Sequence, residues 1–109
     1  MSGTLARIRE LVAARLYRIS DHAFREMRED DILPLDLIHG LSEAEVVEDY
    51  ADANRGPTIL VLCRDSSGRP MHAVWGVHKL QPDCATLVTA YRPKADRWTA
   101  DFRFRRRFE

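Results

Sequence analysis

Hydrophobic and polar residues alternate most clearly between Arg69 and Pro93, in two runs separated by a turn that contains Pro82. Both runs are rich in β-branched and aromatic residues, which predicts two strands, Pro70–His78 and Ala85–Tyr91. Successive side chains of a strand point to opposite faces, so the first strand divides into two sets. The apolar set, which predicts a core face, is Met71, Ala73, Trp75 and Val77. The opposite set is His72, Val74, Gly76 and His78.

The remaining pattern predicts three helices and two further strands. The helices are predicted over residues 4–16, 21–30 and 34–41, and the strands over residues 44–50 and 58–64. Apolar residues recur at helical spacing in the first helix, with charged residues between them. Ser20 is a suitable N-cap for the second helix, and Pro34 is typical of the first position of the third. The segment Tyr17–Ile19 is predicted to be extended or a short strand.

The order of these elements, helices first and then strands joined by short loops, predicts the fold class. Consecutive strands with short connections pair antiparallel, and helices then cover one face of the sheet. We therefore expect one α+β domain over residues 1–109, with N-terminal helices packed on a four-stranded, mainly antiparallel sheet. No internal repeat, linker or low-complexity segment divides the chain.

Composition indicates where in the cell the protein is expected. No apolar run approaches the roughly 20 residues that span a bilayer, and charged residues interrupt the N-terminal apolar positions, unlike a secretory signal. We therefore expect a cytoplasmic protein with no membrane partner. The two cysteines, Cys63 and Cys84, have no Cys-x-x-Cys spacing. In a reducing compartment they are expected to be small buried hydrophobes, although spacing alone leaves a disulfide between them open.

Charge is segregated along the chain although the formal net charge is zero. Residues 29–54 contain nine acids and no Lys or Arg, whereas residues 92–109 contain seven bases and three acids. A basic tail suits contact with RNA or with an acidic protein partner. The alternative is that the tail pairs with the acidic segment of its own fold, and the pattern leaves both readings open.

Several kinds of chemistry lack the residues they need. None of the histidines and cysteines falls in a zinc-type spacing, and His72 and His78 lie roughly 20 Å apart along one extended strand. We therefore expect no metal and no cofactor. The chain has no G-x-S-x-G motif and no Gly-rich phosphate loop, and neither cysteine is placed to form a thiolate.

Acid–base chemistry on a phosphodiester, without a metal, is the chemistry that remains. It needs a base for a 2′-hydroxyl, an acid for the leaving oxygen and fixed positive charge for the pentavalent phosphorus. The suitable residue types are His22, His72, Tyr91 and the arginines at 105–107. His22 lies in the first turn of the second helix, where the helix dipole disfavours a protonated imidazole.

Several separated segments resemble one family of small bacterial domains. They are Ser20–Ala23 with Arg25 and Met27, the acidic strand ending at Tyr50, Gly68–His72, Val88–Pro93 and Trp98. On these segments the chain is identified as a member of the domain-of-unknown-function family 4258. The resemblance covers Tyr17–Arg107 and leaves most of the first helix, residues 1–16, outside it.

This family is similar to the RelE-like and BrnT-like toxins of bacterial toxin–antitoxin systems. The resemblance implies a RelE-like fold and a metal-independent ribonuclease that leaves a 2′,3′-cyclic phosphate, held inactive by a cognate antitoxin. It carries catalytic roles to His22, His72, Tyr91 and one tail arginine, Arg105 or Arg106. His72 is expected on the solvent-facing or cleft-facing side of its strand, so that its replacement by alanine leaves the fold intact. The alternative is a non-catalytic protein-binding module of the same fold.

Overall fold

The computed structural model describes residues 2–106 and contains three α-helices and a five-stranded mixed sheet. The helices are α1 (Gly3–Ala13), α2 (Asp21–Glu29) and α3 (Pro34–Gly40), followed by a 3₁₀ turn at Leu41–Glu43. The strands are β1 (Tyr17–Ile19), β2 (Glu45–Tyr50), β3 (Thr58–Arg64), β4 (Pro70–Val77) and β5 (Ala85–Tyr91). The strand order in the sheet is β1-β5-β4-β3-β2. None of the helices in residues 2–106 is long and apolar enough to cross a membrane.

The α+β class is confirmed, but the predicted number of strands was one too low. β1 adds a fifth strand at the edge of the sheet, where it runs parallel to β5 while the other neighbours are antiparallel. A strand of three residues is too short to show alternation, so its pairing depends on β5 and not on local pattern. The C-terminal end of the predicted family-like core, Arg107, lies outside the described residues.

The largest departure of a helix boundary from the pattern is at the end of α1. α1 ends at Ala13 and not at Leu16, because Arg15 adopts a left-handed conformation with φ of 63° that no helix continues. The Leu16 carbonyl instead accepts a hydrogen bond from the amide of Ala85, which starts the pairing of β1 with β5. α2 begins as predicted, since the Ser20 side chain accepts a hydrogen bond from the Ala23 amide.

One face of the sheet carries the main core, as the alternation predicts. The buried residues of all three helices pack with the apolar set of β4, and Trp75 is the largest side chain that is fully buried. Phe24 of α2 lies outside this core and is 43% exposed. The other face, which we call the open face, carries no helix residue of this core. Its central residues are Leu60, Leu62, His72, Val74 and Gly76.

Both cysteines are free thiols. Cys63 lies in β3 and is buried in the main core, as expected of a small hydrophobe, and burial raises the pKa of its thiol to about 11. Cys84 is half-buried immediately before β5. Cys63 therefore lacks the exposed, low-pKa setting of a reactive thiolate.

Candidate functional site

A β-bulge in β5 brings Tyr91 to the open face. Val74 pairs with Thr89 whereas Trp75 pairs with Leu87, so Val88 is an extra residue without a partner in β4. Leu87 faces the core, and simple alternation would send Tyr91 to the core as well. The bulge shifts the alternation by one residue, and Tyr91 comes to lie directly opposite His72.

A second bulge, in β2, brings Glu48 to the open face. Val46 pairs with the core residue Val61, and Glu48 pairs with Leu60 of the open face, which leaves Val47 as the extra residue. Without this bulge Val46 and Glu48 would share the core face, where a carboxylate would be costly to bury. The two bulges thus place Glu48 and Tyr91 on the same face as His72.

The C-terminal segment, residues 92–106, covers the His72 end of the open face. It folds back on itself, with Trp98 and Arg105 forming an antiparallel bridge. The Trp98 ring meets the His72 ring edge-on with centroids 4.4 Å apart, and Trp98 is 4% exposed. The expected exposure of His72 is therefore wrong: its side chain is fully buried, because the segment closes over it.

The hydrogen bonds of His72 define its tautomer. Nε2 lies 2.9 Å from the carbonyl oxygen of Phe102, which can only accept, so Nε2 carries the proton. Nδ1 of the neutral ring is then an acceptor, and the Tyr91 hydroxyl, at 3.2 Å, donates to it. Both ring nitrogens are occupied. His72 therefore acts on any ligand through Tyr91 and not by direct contact.

An ion pair lies beside this hydrogen bond. Arg105 donates from Nε and Nη2 to the two carboxylate oxygens of Glu48, at 2.8 and 3.0 Å, and its guanidinium lies 4.8 Å from the centre of the Trp98 ring. Two parallel hydrogen bonds fix the plane of the guanidinium. Tyr50 also donates to Glu48, at 2.6 Å. The Arg105 Nη1 group has no hydrogen bond to the described residues and is available to a ligand.

The charge state of the cluster follows from these contacts. Burial lowers the pKa of His72 below its ordinary value of 6.5, although the Phe102 carbonyl and the Glu48 charge oppose the shift. Burial raises the pKa of Tyr91 above 10. The hydrogen bond from Arg105 lowers the pKa of Glu48, whose carboxylate in turn raises the pKa of Arg105. At neutral pH the cluster holds a neutral imidazole, a phenol, a carboxylate and a guanidinium.

We expect the free energy of unfolding to fall as the pH decreases from 7.5 to 5.5. The unfolded chain protonates His72 near pH 6.5 whereas the folded chain does not, so its contribution is present above 6.5 and is lost as the pH falls towards the lower native pKa. The lowered pKa values of Glu48, Asp65 and Asp101 act in the same direction but at more acidic pH, since their ordinary values are 4.5, 3.8 and 3.8.

Urea unfolding at pH 7.5, 6.5 and 5.5 measures this effect in the wild type and in His72→Gln. The glutamine amide keeps a donor for the Phe102 carbonyl but does not titrate. The decline with falling pH is expected to be smaller in the variant. The same decline in both proteins would assign the pH dependence to other groups.

Within residues 2–106, two of the predicted site residues, His22 and Arg106, make no hydrogen bond or ion pair with the side chains of this cluster. His22 is 62% exposed at its side chain, and its Nε2 lies 3.0 Å from Oε1 of Glu26 one turn later in α2. α2 itself packs against β5, the strand that carries Tyr91, and the Ser20 hydroxyl at its start donates to the Val88 carbonyl at 2.8 Å. Arg106 donates from Nε to the Trp98 carbonyl and is thereby tied to its own segment. Of the two alternative tail arginines, Arg105 is the one that joins His72 and Tyr91.

Glu48 and Tyr50 belong to the cluster but were not predicted as site residues. The adjacent valines at 46 and 47 interrupt the alternation of β2, and such a pair is a sequence signal for a bulge. Within residues 2–106 no group of three or more His, Cys, Asp or Glu is arranged to share a metal ion.

The intramolecular reading of the charge segregation is confirmed for two bases of the tail. Arg103 pairs with Glu45 at 2.7 Å and Arg105 with Glu48 at 2.8 Å, both across the open face. The Arg92 guanidinium instead pairs with Asp65 at 2.8 Å, while its backbone amide donates to the Asp30 carboxylate at 2.8 Å. The acidic segment is therefore, in part, the surface on which the C-terminal segment lies.

Comparison with protein-family models gives one match, over residues 19–92, to a family described as Domain of unknown function (DUF4258). The matched region runs from the end of β1 to the residue after β5 and includes His22, Glu48, His72 and Tyr91. It ends before Trp98 and Arg105. Comparison with curated proteins and with solved structures found no match.

Proposed function

We propose that this chain, which belongs to the DUF4258 family, is related to the RelE-like and BrnT-like toxins and is a metal-independent endoribonuclease of a toxin–antitoxin pair. One observation carries the proposal: a hydrogen bond joins a tyrosine to a buried neutral histidine, beside an arginine with a free donor edge. These groups supply a base and positive charge, two of the three requirements of phosphodiester cleavage without a metal.

Tyr91 and His72 form the base in this proposal. The 2′-hydroxyl of RNA gives its proton to the Tyr91 oxygen while Tyr91 passes its own proton to Nδ1 of His72. The 2′-oxygen attacks phosphorus, the bond to the 5′-oxygen breaks, and a 2′,3′-cyclic phosphate remains. His72 becomes an imidazolium in this step, and the nearby Glu48 carboxylate stabilises its charge. His72 is accordingly a positioning residue and Tyr91 the catalytic residue.

Arg105 stabilises the negative charge that builds up on the phosphoryl oxygens. Glu48 holds the guanidinium through Nε and Nη2, and Nη1 is left to donate to the phosphate. A preoriented donor requires no reorganisation when the charge develops, which makes such an interaction effective. Glu48 has a second role in this arrangement. Its carboxylate also accepts a hydrogen bond from the Tyr50 hydroxyl, which keeps the side chains of Glu48 and Tyr50 at the edge of the site.

His22 is the donor for the leaving 5′-oxygen in this proposal. Its imidazole is exposed, and its Nε2 lies 3.0 Å from Oε1 of the Glu26 carboxylate. Because α2 packs against β5, the proposal places a substrate bound at Tyr91 beside α2. His22 loses one proton in the reaction and His72 gains one. Proton exchange with solvent returns both imidazoles to their starting states and completes the cycle.

A second candidate function, a protein-binding module, rests on the charge pairing of the tail. The ion pairs of Arg103 and Arg105 with Glu45 and Glu48 reduce the positive charge available to RNA. Leu33 and Leu35, at the start of α3, are 66% and 63% exposed and suit a protein surface. In this reading the cluster around His72 only holds the C-terminal segment in place.

Incubation of the purified protein with RNA in excess chelator separates the two functions. The ribonuclease is expected to cut the RNA and to leave 2′,3′-cyclic phosphate ends, which are identified by their resistance to a phosphatase before acid treatment. Addition of the antitoxin encoded beside it is expected to stop cleavage. RNA that stays intact with the folded protein, alone and with ribosomes, would favour the protein-binding module.

A further inference from the structure

A groove of about 380 Å³ crosses the open face beyond the His72 cluster. It reaches from β1 across β5 and β4 to the loop that precedes β3. The residues that matter here are Arg18, Arg55, Thr58, Gly76, His78 and Thr86. The position of Gly76 on β4 places the groove on the same face as His72, since the two residues are four apart along one strand.

The depth of the groove depends on Gly76, which has no side chain. Gly76 pairs with Thr58 on one side and with Thr86 on the other, in the middle of the sheet. Its φ is outside the left-handed region, so the backbone does not require glycine here. A Cβ at this position would lie 3.2 Å from the Thr58 hydroxyl oxygen and would point into the groove. Gly76 therefore provides space and not a turn.

The charge of the groove is positive and is not compensated locally. Arg18 and Arg55 are exposed, and within residues 2–106 their side chains make no hydrogen bond or ion pair. No Asp or Glu lines the groove. This differs from Arg103 and Arg105, which bind carboxylates of the same face. Two guanidinium groups without a partner among the described residues, beside a concave surface, attract an anion, and phosphate is one of the two anions whose geometry the guanidinium matches.

His78 adds a hydrogen-bond donor to these charges. Its Nδ1 accepts a hydrogen bond from the Leu80 amide at 3.1 Å, so Nε2 is the ring nitrogen that can donate to a ligand. The Thr86 hydroxyl lies on the same face. The groove therefore combines two cations with further hydrogen-bond donors, a composition that suits a phosphate and the sugar hydroxyls next to it.

The distance between the groove and Tyr91 favours a polymer over a single nucleotide as the ligand. Four residues along β4 separate Gly76 from His72, a distance of about 13 Å, and Val74 and Thr89 lie between them on the same face. A single phosphate cannot contact both ends of this path. A chain with phosphates at regular intervals can, and a positive groove that follows its backbone is typical of single-strand binding.

We propose that the groove binds the backbone of single-stranded RNA beside the cleavage point, through Arg18 and Arg55. This inference rests on the proposed ribonuclease function for the identity of the polymer. The bound strand runs along the open face from Tyr91 and Arg105 to the groove. Arg18 and Arg55 are binding residues here and take no part in proton transfer.

The test measures affinity for a labelled, single-stranded, 2′-O-methylated RNA oligonucleotide, which lacks the attacking hydroxyl and is not cleaved. Fluorescence anisotropy is recorded over a range of salt concentrations for the wild type, for Arg18→Gln/Arg55→Gln and for a control double variant. The control, Arg15→Gln/Arg28→Gln, removes the same charge from exposed arginines outside the groove. Loss of two phosphate contacts is expected to make the slope of log K against log salt less steep by about 1.4 in the groove variant.

The outcomes distinguish the groove from the nuclease. A weaker salt dependence in the groove variant alone supports the groove, even if the wild type cleaves no unmodified RNA, in which case only the nuclease fails. Equal slopes in the groove and control variants would overturn the groove, whatever the cleavage result. Binding of a mononucleotide or of a poly-glutamate peptide in place of the RNA would overturn it too, since neither needs a path along the open face.

Discussion

Replacement of Tyr91 by phenylalanine is expected to lower the rate of RNA cleavage about 100-fold, a typical loss when one acid–base group is removed. The change deletes only the hydroxyl that donates to Nδ1 of His72 at 3.2 Å and keeps the ring beside it. Arg105 and Glu48 stay in place, so binding of RNA is expected to change little. The loss should therefore appear in kcat and not in KM.

Tyr17→Phe is the matched control for this variant. Tyr17 lies in β1 and packs edge-on against Trp75 in the main core, on the other face of the sheet. The same atom is removed, but no proton path is interrupted, and cleavage is expected to be unchanged. Because both variants are purified in the same way, a contaminating nuclease would cut equally in both. Equal rates for Tyr91→Phe and wild type would remove the hydroxyl from the mechanism.

Replacement of His72 by alanine is expected to destabilise the fold by about 3 kcal/mol. The sequence pattern placed this side chain at the surface, where its loss would leave the fold intact, but it is fully buried between Tyr91 and Trp98. The substitution leaves a cavity and deprives the Phe102 carbonyl of its donor. Urea unfolding at pH 7.5, where the native imidazole is neutral, measures the difference.

His78→Ala is the control for this stability prediction. His78 is half-buried at the end of β4 and accepts a single hydrogen bond, from the Leu80 amide. Its loss is expected to cost less than about 1 kcal/mol, because little cavity forms. Similar costs for the two substitutions would mean that the C-terminal segment does not hold His72 as described. The comparison also explains why Tyr91→Phe, and not His72→Ala, is the informative test of catalysis.

Local patterns were sufficient for most of the elements. β3 and β5 have the boundaries that alternation predicts, and α2 begins at the Ser20 cap. These features depend on side chains a few residues apart, which the sequence displays directly. The fifth strand is different, since β1 is a strand only because β5 pairs with it.

The membership of the site required long-range pairing. Whether Glu48 and Tyr91 face the core or the open face depends on two single-residue bulges, and a shift of one residue reverses every side chain beyond it. The choice among the tail arginines has a similar origin. Arg105 and Arg106 are adjacent and chemically identical, and only the bridge between Arg105 and Trp98 separates their roles.

The sequence by itself determined the α+β class, the apolar face of β4 and the candidate residues His72 and Tyr91, because these follow from local periodicity and from segments that resemble one family. The tertiary structure alone decided that His72 is buried, that Glu48 lies on the same face of the sheet and that Arg105 forms an ion pair with Glu48 there. Burial and pairing across the sheet depend on which strands are neighbours and on where each bulge falls. Those contacts join residues far apart in the chain, and no local pattern encodes them.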